Sequence, residues 1–373
     1  MEHPRIPENP YLLLTPGPLT TTPTVKAAML QDWCTWDRDY NGIVQGIRER
    51  LVKLATTSAG YTCTLMQGSG TFSVESVIGT AIPENGTLLV LVNGAYGNRM
   101  VQIAGRLGIP VQVLDSGEVA PPDLSLLESI LRSDTSVTHV AVVHCETTTG
   151  MLNPVETIGR LVKSMGRIYI VDAMSSFGGI PMDIHAMGAD YLISSANKCI
   201  QGVPGFGFVI ARRDEMERIG GQARSVSLDL HDQWKTMEDQ SGKWRFTSPT
   251  HVVRAFAQAL LELEEEGGVQ KRWERYRENQ TILVEGMEAL GFRCLLPKSL
   301  QSPVITAFHN PENPEFHFHR FYEALKAKGF VIYPGKVTSK ETFRMGNIGD
   351  IHRADILRLL EAVRDSMFWT GRP

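Results

Sequence analysis

Val137–His144 reads VTHVAVVH, Arg167–Asp172 reads RIYIVD, and between them Pro154–Gly166 (PVETIGRLVKSMG) places its apolar side chains at helical spacing. Continuous Val/Ile/Leu runs of about 4–8 residues fit strands buried on both faces. An amphipathic stretch between two such runs fits the crossover helix of a parallel pair. The same pattern extends outward in both directions. Tyr61–Gln67 (YTCTLMQ), Thr87–Asn93 (TLLVLVN), Tyr191-Leu192-Ile193 and Phe206–Ala211 (FGFVIA) read as strands, and Phe72–Ile82 and Ala120–Arg132 as helices. This alternation predicts an α/β fold with a mostly parallel central sheet flanked by helices.

From Ser248 onward the pattern changes. Val252–Leu263 reads as an apolar helix, ended by the charges and glycines of Glu262–Gly268, and Gln270–Leu290 as a second, long amphipathic helix. Arg293–Pro297 and Ser302–Phe308 are strand-like, and Ala354–Phe368 closes the chain as an amphipathic helix. A smaller C-terminal α+β domain is expected. At the other end, Pro4, Pro7, Pro10, Pro16 and Pro18 exclude a helix and predict an extended arm over the body. The expected division is an arm over 1–20, a large domain over 21–267 and a small domain over 268–373.

Composition excludes several classes of function. The 373 residues carry 37 Lys+Arg against 41 Asp+Glu, a formal charge of −4, with no run of like charge. A dedicated nucleic-acid binder would show a basic face. No stretch approaches the ~18 apolar residues that span a bilayer, and the first residues lack a basic and then apolar leader pattern. A cytoplasmic protein is expected. The five cysteines, Cys34, Cys63, Cys145, Cys199 and Cys294, are odd in number and widely spaced. They read as small buried hydrophobes in a reducing compartment rather than a disulfide framework or structural zinc site. His317 and His319 would share a face if they lay in a strand, but no third ligand is near in sequence, so no metal site is expected.

Three elements carry chemistry. Gly68-Ser69-Gly70-Thr71 lies between the Tyr61–Gln67 strand and the following helix. A glycine-rich turn opening a helix lets backbone N–H groups approach an anion, and the hydroxyls of Ser69 and Thr71 add donors. The motif matches neither common nucleotide loop, and a plain tight turn looks similar. Asp172 ends the RIYIVD strand, where ligands gather in open α/β sheets; a helix cap or turn residue is the alternative. Lys198 follows Ser194-Ser195-Ala196-Asn197 and precedes Gly202, Pro204, Gly205 and Gly207. An amine among small uncharged residues is desolvated, which lowers its pKa and makes it a nucleophile for a carbonyl. An anion cradle, a strand-end acid and such a lysine are together what pyridoxal phosphate requires: an anchor for its phosphate, a carboxylate for its ring nitrogen and an amine for its aldehyde.

The chain resembles the class V, fold-type I pyridoxal-phosphate transaminases through nearly its whole length, from Leu14–Pro18 (LTPGP) to Phe343–Gly346 (FRMG). Gln67–Thr71, Val171–Gly179, Ser194–Gly205 and Phe246–His251 (FTSPTH) are the more specific segments. Cys34–Asn41 (CTWDRDYN) resembles the aminoethylphosphonate branch in particular. The resemblance implies pyridoxal 5'-phosphate as cofactor, 2-aminoethylphosphonate and pyruvate as substrates, and a homodimer with shared sites. It implies that Lys198 holds the cofactor, that Asp172 pairs with its ring nitrogen, and that Ser69, Gly70, Thr71 and Asn197 bind its phosphate. Thr247 would reach that phosphate from the neighbouring subunit, and Thr147 would sit beside the ring. Tyr96 would stack on the ring where the alanine–glyoxylate relatives have Trp; a half-buried turn aromatic is the plain alternative. Arg344 matches the arginine used for a substrate carboxylate, with a surface arginine at a strand end as alternative. A planar guanidinium can grip a carboxylate with two parallel hydrogen bonds.

The residues that take the phosphonate stay open, with Arg38 and Arg344 as candidates. Rival readings are an alanine–glyoxylate or serine–pyruvate transaminase of the same fold and a non-catalytic cofactor- or phosphate-binding module. A cysteine desulfurase would need a reactive thiol on a mobile loop, for which Cys294 is the late candidate.

Overall fold

A central sheet forms from seven strands, of which all but the edge strand Val111–Asp115 are apolar and largely buried on both faces. In the computed structural model, which describes residues 6–337 and 339–370, these are β1 (Tyr61–Gln67), β2 (Thr87–Val92), β3 (Val111–Asp115), β4 (Val137–Val143), β5 (Ile168–Asp172), β6 (Tyr191–Ser195) and β7 (Phe206–Arg212). Pro4 of the expected arm lies outside the described residues. The spatial order is β1-β7-β6-β5-β4-β2-β3. β7 runs antiparallel to both neighbours, and the remaining adjacent pairs are parallel, so the mostly parallel expectation describes the sheet.

Period-two alternation sends neighbouring side chains into two different cores. On β2, Leu89 and Leu91 face one core with Val44 and Ile47 of α1 (Arg38–Ala55), Ile158 of α5 (Val155–Ser164) and Phe256 of α6 (Thr250–Glu265). Leu88, Val90 and Val92 face the other, with Val77 of α2 (Gly70–Ala81) and Met100 and Ile103 of α3 (Ala95–Arg106). The Ala120–Arg132 stretch forms α4 (Leu124–Ser133), starting late because Asp123 caps it by accepting from the Ser125 and Leu126 amides.

The C-terminal part is built around a three-stranded antiparallel sheet of β8 (Ile305–His309), β9 (Tyr333–Pro334) and β10 (Thr342–Gly346), with β10 central. Packed with it are α7 (Gly268–Ala289), α8 (Phe318–Ala327) and α9 (Arg353–Asp365). Its core is aromatic: Phe292, Phe308 and Phe321 each lie 5.6 Å, centroid to centroid, from Phe343 on β10. The proline-rich arm joins both parts. Leu12–Leu13 pairs in parallel with Phe330–Val331, and the Gly346 amide donates to the Leu14 carbonyl at 3.0 Å.

Three local expectations are corrected. Arg293–Pro297 is not a strand. It makes one bridge, Cys294 to Phe308, because Pro297 has no N–H to continue the ladder and a 3-10 turn, Lys298–Leu300, follows. His317 and His319 do not share a strand face; His317 stands at the N-cap position of α8 without a side-chain capping bond, His319 lies in its first turn, and both are exposed. Cys34 is exposed rather than buried, whereas Cys63, Cys145 and Cys199 are buried. Among the described residues no helix is long and apolar enough to cross a membrane.

Candidate active site

The parallel strands release their carboxyl ends toward one cleft, and the chemistry-bearing residues lie there. Ser69, Gly70, Thr71, Tyr96, Arg99, Asp172, Asn197 and Lys198 line a single cavity of about 200 Å3. Ser69 is the N-cap of α2, yet its hydroxyl makes no capping bond, so the hydroxyl and the Gly70 and Thr71 amides stay available to an anion, while the Phe72 amide donates to the Ser69 carbonyl. A Cβ at 70 would meet Met174 Sδ at 2.2 Å, so any larger residue there would have to push the Met174 side chain aside. Arg99, unremarked in the sequence, donates from Nη1 to Thr71 Oγ1 at 3.2 Å and adds a cation to this cradle. It lies three residues after Tyr96 on α3, a spacing that places both on one helix face and that a helical reading of the segment after Thr87–Asn93 would reveal.

Asp172 ends β5 with its backbone fixed on both sides. Its carbonyl accepts from the His144 amide at 2.8 Å, and it pairs with Val143 and Ile193 across the sheet. Its side chain accepts from the Met174 amide through Oδ1 at 2.8 Å, the one hydrogen bond given to this carboxylate by the described residues. Burial pushes its pKa up to about 6, with the nearby Glu146 adding to the rise against the pull of the Met174 amide, Lys198 and Arg99.

Lys198 lies just past β6 on a loop that the C-terminal part holds. Arg272 of α7 donates to the Cys199 and Ile200 carbonyls at 2.9 and 3.2 Å. Gln201, at φ 70°, donates through Nε2 to the Tyr276 hydroxyl at 2.7 Å and to the Gly349 carbonyl at 2.8 Å. Desolvation lowers the lysine's pKa from its ordinary value, against the opposing pull of Tyr96 and Asp172. The arm crosses directly over the amine. Lys198 Nζ donates to the Pro16 carbonyl at 2.6 Å, and a Cβ at Gly17, whose φ is +120°, would lie 2.7 Å from Nζ.

Glu146 organises the far wall and was not singled out in the sequence. Fully buried, it accepts through Oε1 from the Thr148 amide and hydroxyl at 3.1 and 2.6 Å, and through Oε2 from the Tyr96 amide at 3.3 Å. Thr148 Oγ1 in turn accepts from the Ala95 amide at 3.0 Å. The pair thus caps α3 from outside its own chain segment and sets where Tyr96 points. The signal was present in the polar run His144–Thr149, but its partner is some fifty residues away.

Tyr96 is half-buried and lines the cavity. Burial raises the pKa of its hydroxyl, but Thr147 and the cations Lys198, Lys336 and Arg344 outweigh that and lower it. Arg344 does not line the cavity itself. It is buried at mid-strand in β10, between Ala307 and Tyr333, rather than on the surface. Nε donates to the Pro334 carbonyl at 3.0 Å and Nη1 to the Thr147 carbonyl at 2.6 Å. Thr147 is buried and meets the site through that carbonyl and beside Tyr96. Thr247 and Arg38 are exposed and are not among the side chains lining this cavity. Cys294 sits among the aromatic side chains of the C-terminal core, where burial pushes its thiol up to about 11, and is not brought to the cleft.

The fold and this cluster of side chains define a transaminase-type site. The aminotransferase class-V family matches residues 30–363, and the chain belongs to that family. It is 67% identical over 365 residues to the 2-aminoethylphosphonate–pyruvate transaminase of Syntrophobacter fumaroxidans (strain DSM 10017 / MPOB), covering 98% of each chain. To the transaminase of the same name from Vibrio vulnificus (strain YJ016) it is 60% identical over 363 residues, 97% of this chain and 99% of that one. Among solved structures, the alanine–glyoxylate aminotransferase of Nostoc sp. superposes with a TM-score of 0.88 at 23% identity, covering 98% of each chain, which is a likeness of fold.

Proposed function

We propose that this chain transfers the amino group of 2-aminoethylphosphonate to pyruvate, giving phosphonoacetaldehyde and L-alanine, with pyridoxal 5'-phosphate as resident cofactor. The observation that carries the reading is the meeting of Lys198, Asp172 and the Ser69–Thr71 cradle in one cavity, together with full-length likeness to transaminases of that name. The residues present fit the cofactor. Asp172 is a buried acid with a single hydrogen bond and a raised pKa, which suits a cationic nitrogen as partner. The α2 N-terminus, with the Ser69 hydroxyl uncapped and Arg99 beside Thr71, suits a phosphate. Lys198 would hold the group covalently, Tyr96 would face its ring, and Thr147 and Asn197 would complete its surroundings. Thr247 would serve the phosphate of a second subunit's site in a homodimer, which accords with its exposure on one chain.

When bound, pyridoxal phosphate supplies an aldehyde for amines and a cationic ring that accepts the electron pair left by deprotonation at the carbon bearing nitrogen. The chain supplies the rest. Lys198 Nζ would be the base, since burial lowers its pKa from the ordinary lysine value and so favours the unprotonated amine. With the cofactor bound, Lys198 Nζ would take the proton from the substrate carbon bearing nitrogen and later give it back, so a single amine would serve as base and then acid. Asp172 holds a negative charge where positive charge must persist, in a place from which water is largely excluded. Arg344 takes the carboxylate of pyruvate. Because Nε and Nη1 each donate to a backbone carbonyl, Nη2, which has no partner among the described residues, is the nitrogen left to meet the carboxylate.

Two half-reactions in one site give ping-pong kinetics, so initial-rate lines at several pyruvate concentrations should run parallel. Intersecting lines would remove the scheme. A screen that found turnover of alanine with glyoxylate or of serine with pyruvate, and none of 2-aminoethylphosphonate, would give the site to the rival transaminases. A protein that bound the cofactor but bleached with no amine would be a binding module.

A further inference from the structure

The two substrates of the proposed reaction differ most in charge. A carboxylate carries one negative charge, whereas a phosphonate, like a phosphate monoester, approaches two near neutrality. Four cations stand around the cleft, and two already have tasks. Lys198 is the reacting amine, and Arg99 bonds Thr71 in the anion cradle. Arg344 remains, with two of its five N–H donors held by the Pro334 and Thr147 carbonyls. The fourth is Lys336, which no sequence motif marked.

Lys336 lies just past β9, on a loop fixed against β10. The Gly335 amide donates to the Thr342 carbonyl at 2.9 Å, and a Cβ at 335 would lie only 2.2 Å from that oxygen. This close approach holds the backbone two positions from Arg344 in register. The Lys336 ammonium sits 4.3 Å from the ring centroid of Tyr96, a cation–π contact with a side chain that lines the cavity, although Lys336 itself does not line it. It has no carboxylate partner among the described residues, although 41 acids are distributed through the chain. A half-buried cation with an aromatic neighbour and no counter-charge is set to receive an anion from outside. An ammonium with three rotatable donors on a flexible stem also tolerates a tetrahedral anion better than a fixed planar fork does.

We propose that Lys336 recognises the phosphonate group, adding the second positive charge that Arg344 alone does not supply. The assignment rests on the aminoethylphosphonate reading of the site, and the experiment separates the two. Ethylphosphonate and propionate, which carry the anionic groups without an amine and therefore do not react, are titrated calorimetrically into cofactor-loaded enzyme. The wild type should bind ethylphosphonate more tightly than propionate. K336M should weaken ethylphosphonate about 10- to 100-fold more than propionate, the range for a hydrogen bond to a charged group. K336R, which keeps the charge, should recover most of the difference and guards against a folding defect in K336M. A wild type that prefers phosphonate together with a K336M variant that keeps the preference overturns the Lys336 assignment alone. A wild type with no preference removes both the assignment and the substrate reading beneath it.

Discussion

In the seven-stranded sheet, Asp172 and Lys198 sit at or just beyond strand ends, while in the three-stranded sheet Arg344 lies inside its central strand with a neighbour on each side. The large sheet separates its duties. Apart from the edge strand β3, its strands are apolar runs that stabilise the fold through both faces, and the chemistry is handed to whatever follows the last hydrogen-bonded residue. The small sheet combines them. Phe343 and Met345 turn into the aromatic core, and the alternate positions Arg344 and Gly346 turn toward Thr147 and the arm, so one five-residue strand both holds its region together and faces the site. Substitutions should therefore separate activity from stability in the first region and couple them in the second.

The largest effect should come from Lys198→Ala. With its base, acid and covalent anchor gone, transamination should fall by at least about 10,000-fold, at the upper end of what acid–base catalysis contributes. The thermal midpoint of cofactor-stripped protein should stay within a few degrees of wild type, because a desolvated amine is no asset to folding. A large drop in Tm would break the separation claimed for the large sheet. Phe343→Ala tests the other region. Fully buried and packed against four aromatic rings, those of Phe292, Phe308, Phe318 and Phe321, it should cost about 3–5 kcal/mol of stability by urea titration. The KM for pyruvate should rise in the same variant through its neighbour Arg344. Stability lost with KM unmoved would show that the small sheet, too, keeps its duties apart.

The same contrast governs what could be read from sequence. Strand-end chemistry is local: RIYIVD names both the strand and its terminal acid, and Ser194–Gly205 names the lysine and its loop. The arm is legible as extended, from its prolines, although its contact with the Lys198 amine is not. Side chains that meet the site across a sheet or from a distant loop leave no such mark. Glu146 acts on a helix some fifty residues earlier, Lys336 reaches the Tyr96 ring across the cleft, and Arg272 steadies the Lys198 loop from α7. Arg293–Pro297 misled for a related reason. Its apolar residues do pack on the sheet, and the Leu295 amide donates to Ala307, but Pro297 lacks the next donor. Resemblance located Arg344, while its commitment to two backbone carbonyls became visible only once Thr147 and Pro334 were brought beside it.

Asp172→Asn gives the smallest of these effects and the most direct measure of what the large sheet holds in reserve. With its carboxyl raised from 3.8 to about 6 by burial, the folded chain binds this proton more tightly than the unfolded chain does. Ionising the group therefore destabilises the cofactor-stripped fold above about pH 6, and the penalty fades as pH falls through 6 toward 4. Asparagine can keep the Met174 contact without the charge. Stripped D172N should thus be more stable than stripped wild type at pH 8, by up to about 3 kcal/mol, and the two should converge near pH 4. Loading the cofactor should reverse the order at pH 8, because only the aspartate can pair with a cationic ring nitrogen. Urea titrations of both proteins, stripped and loaded, at pH 4.5, 6 and 8 would show the crossing. Equal stabilities at pH 8 without cofactor would mean that the Asp172 charge is already balanced by Lys198 and Arg99, and that the acid is not held ready for a partner.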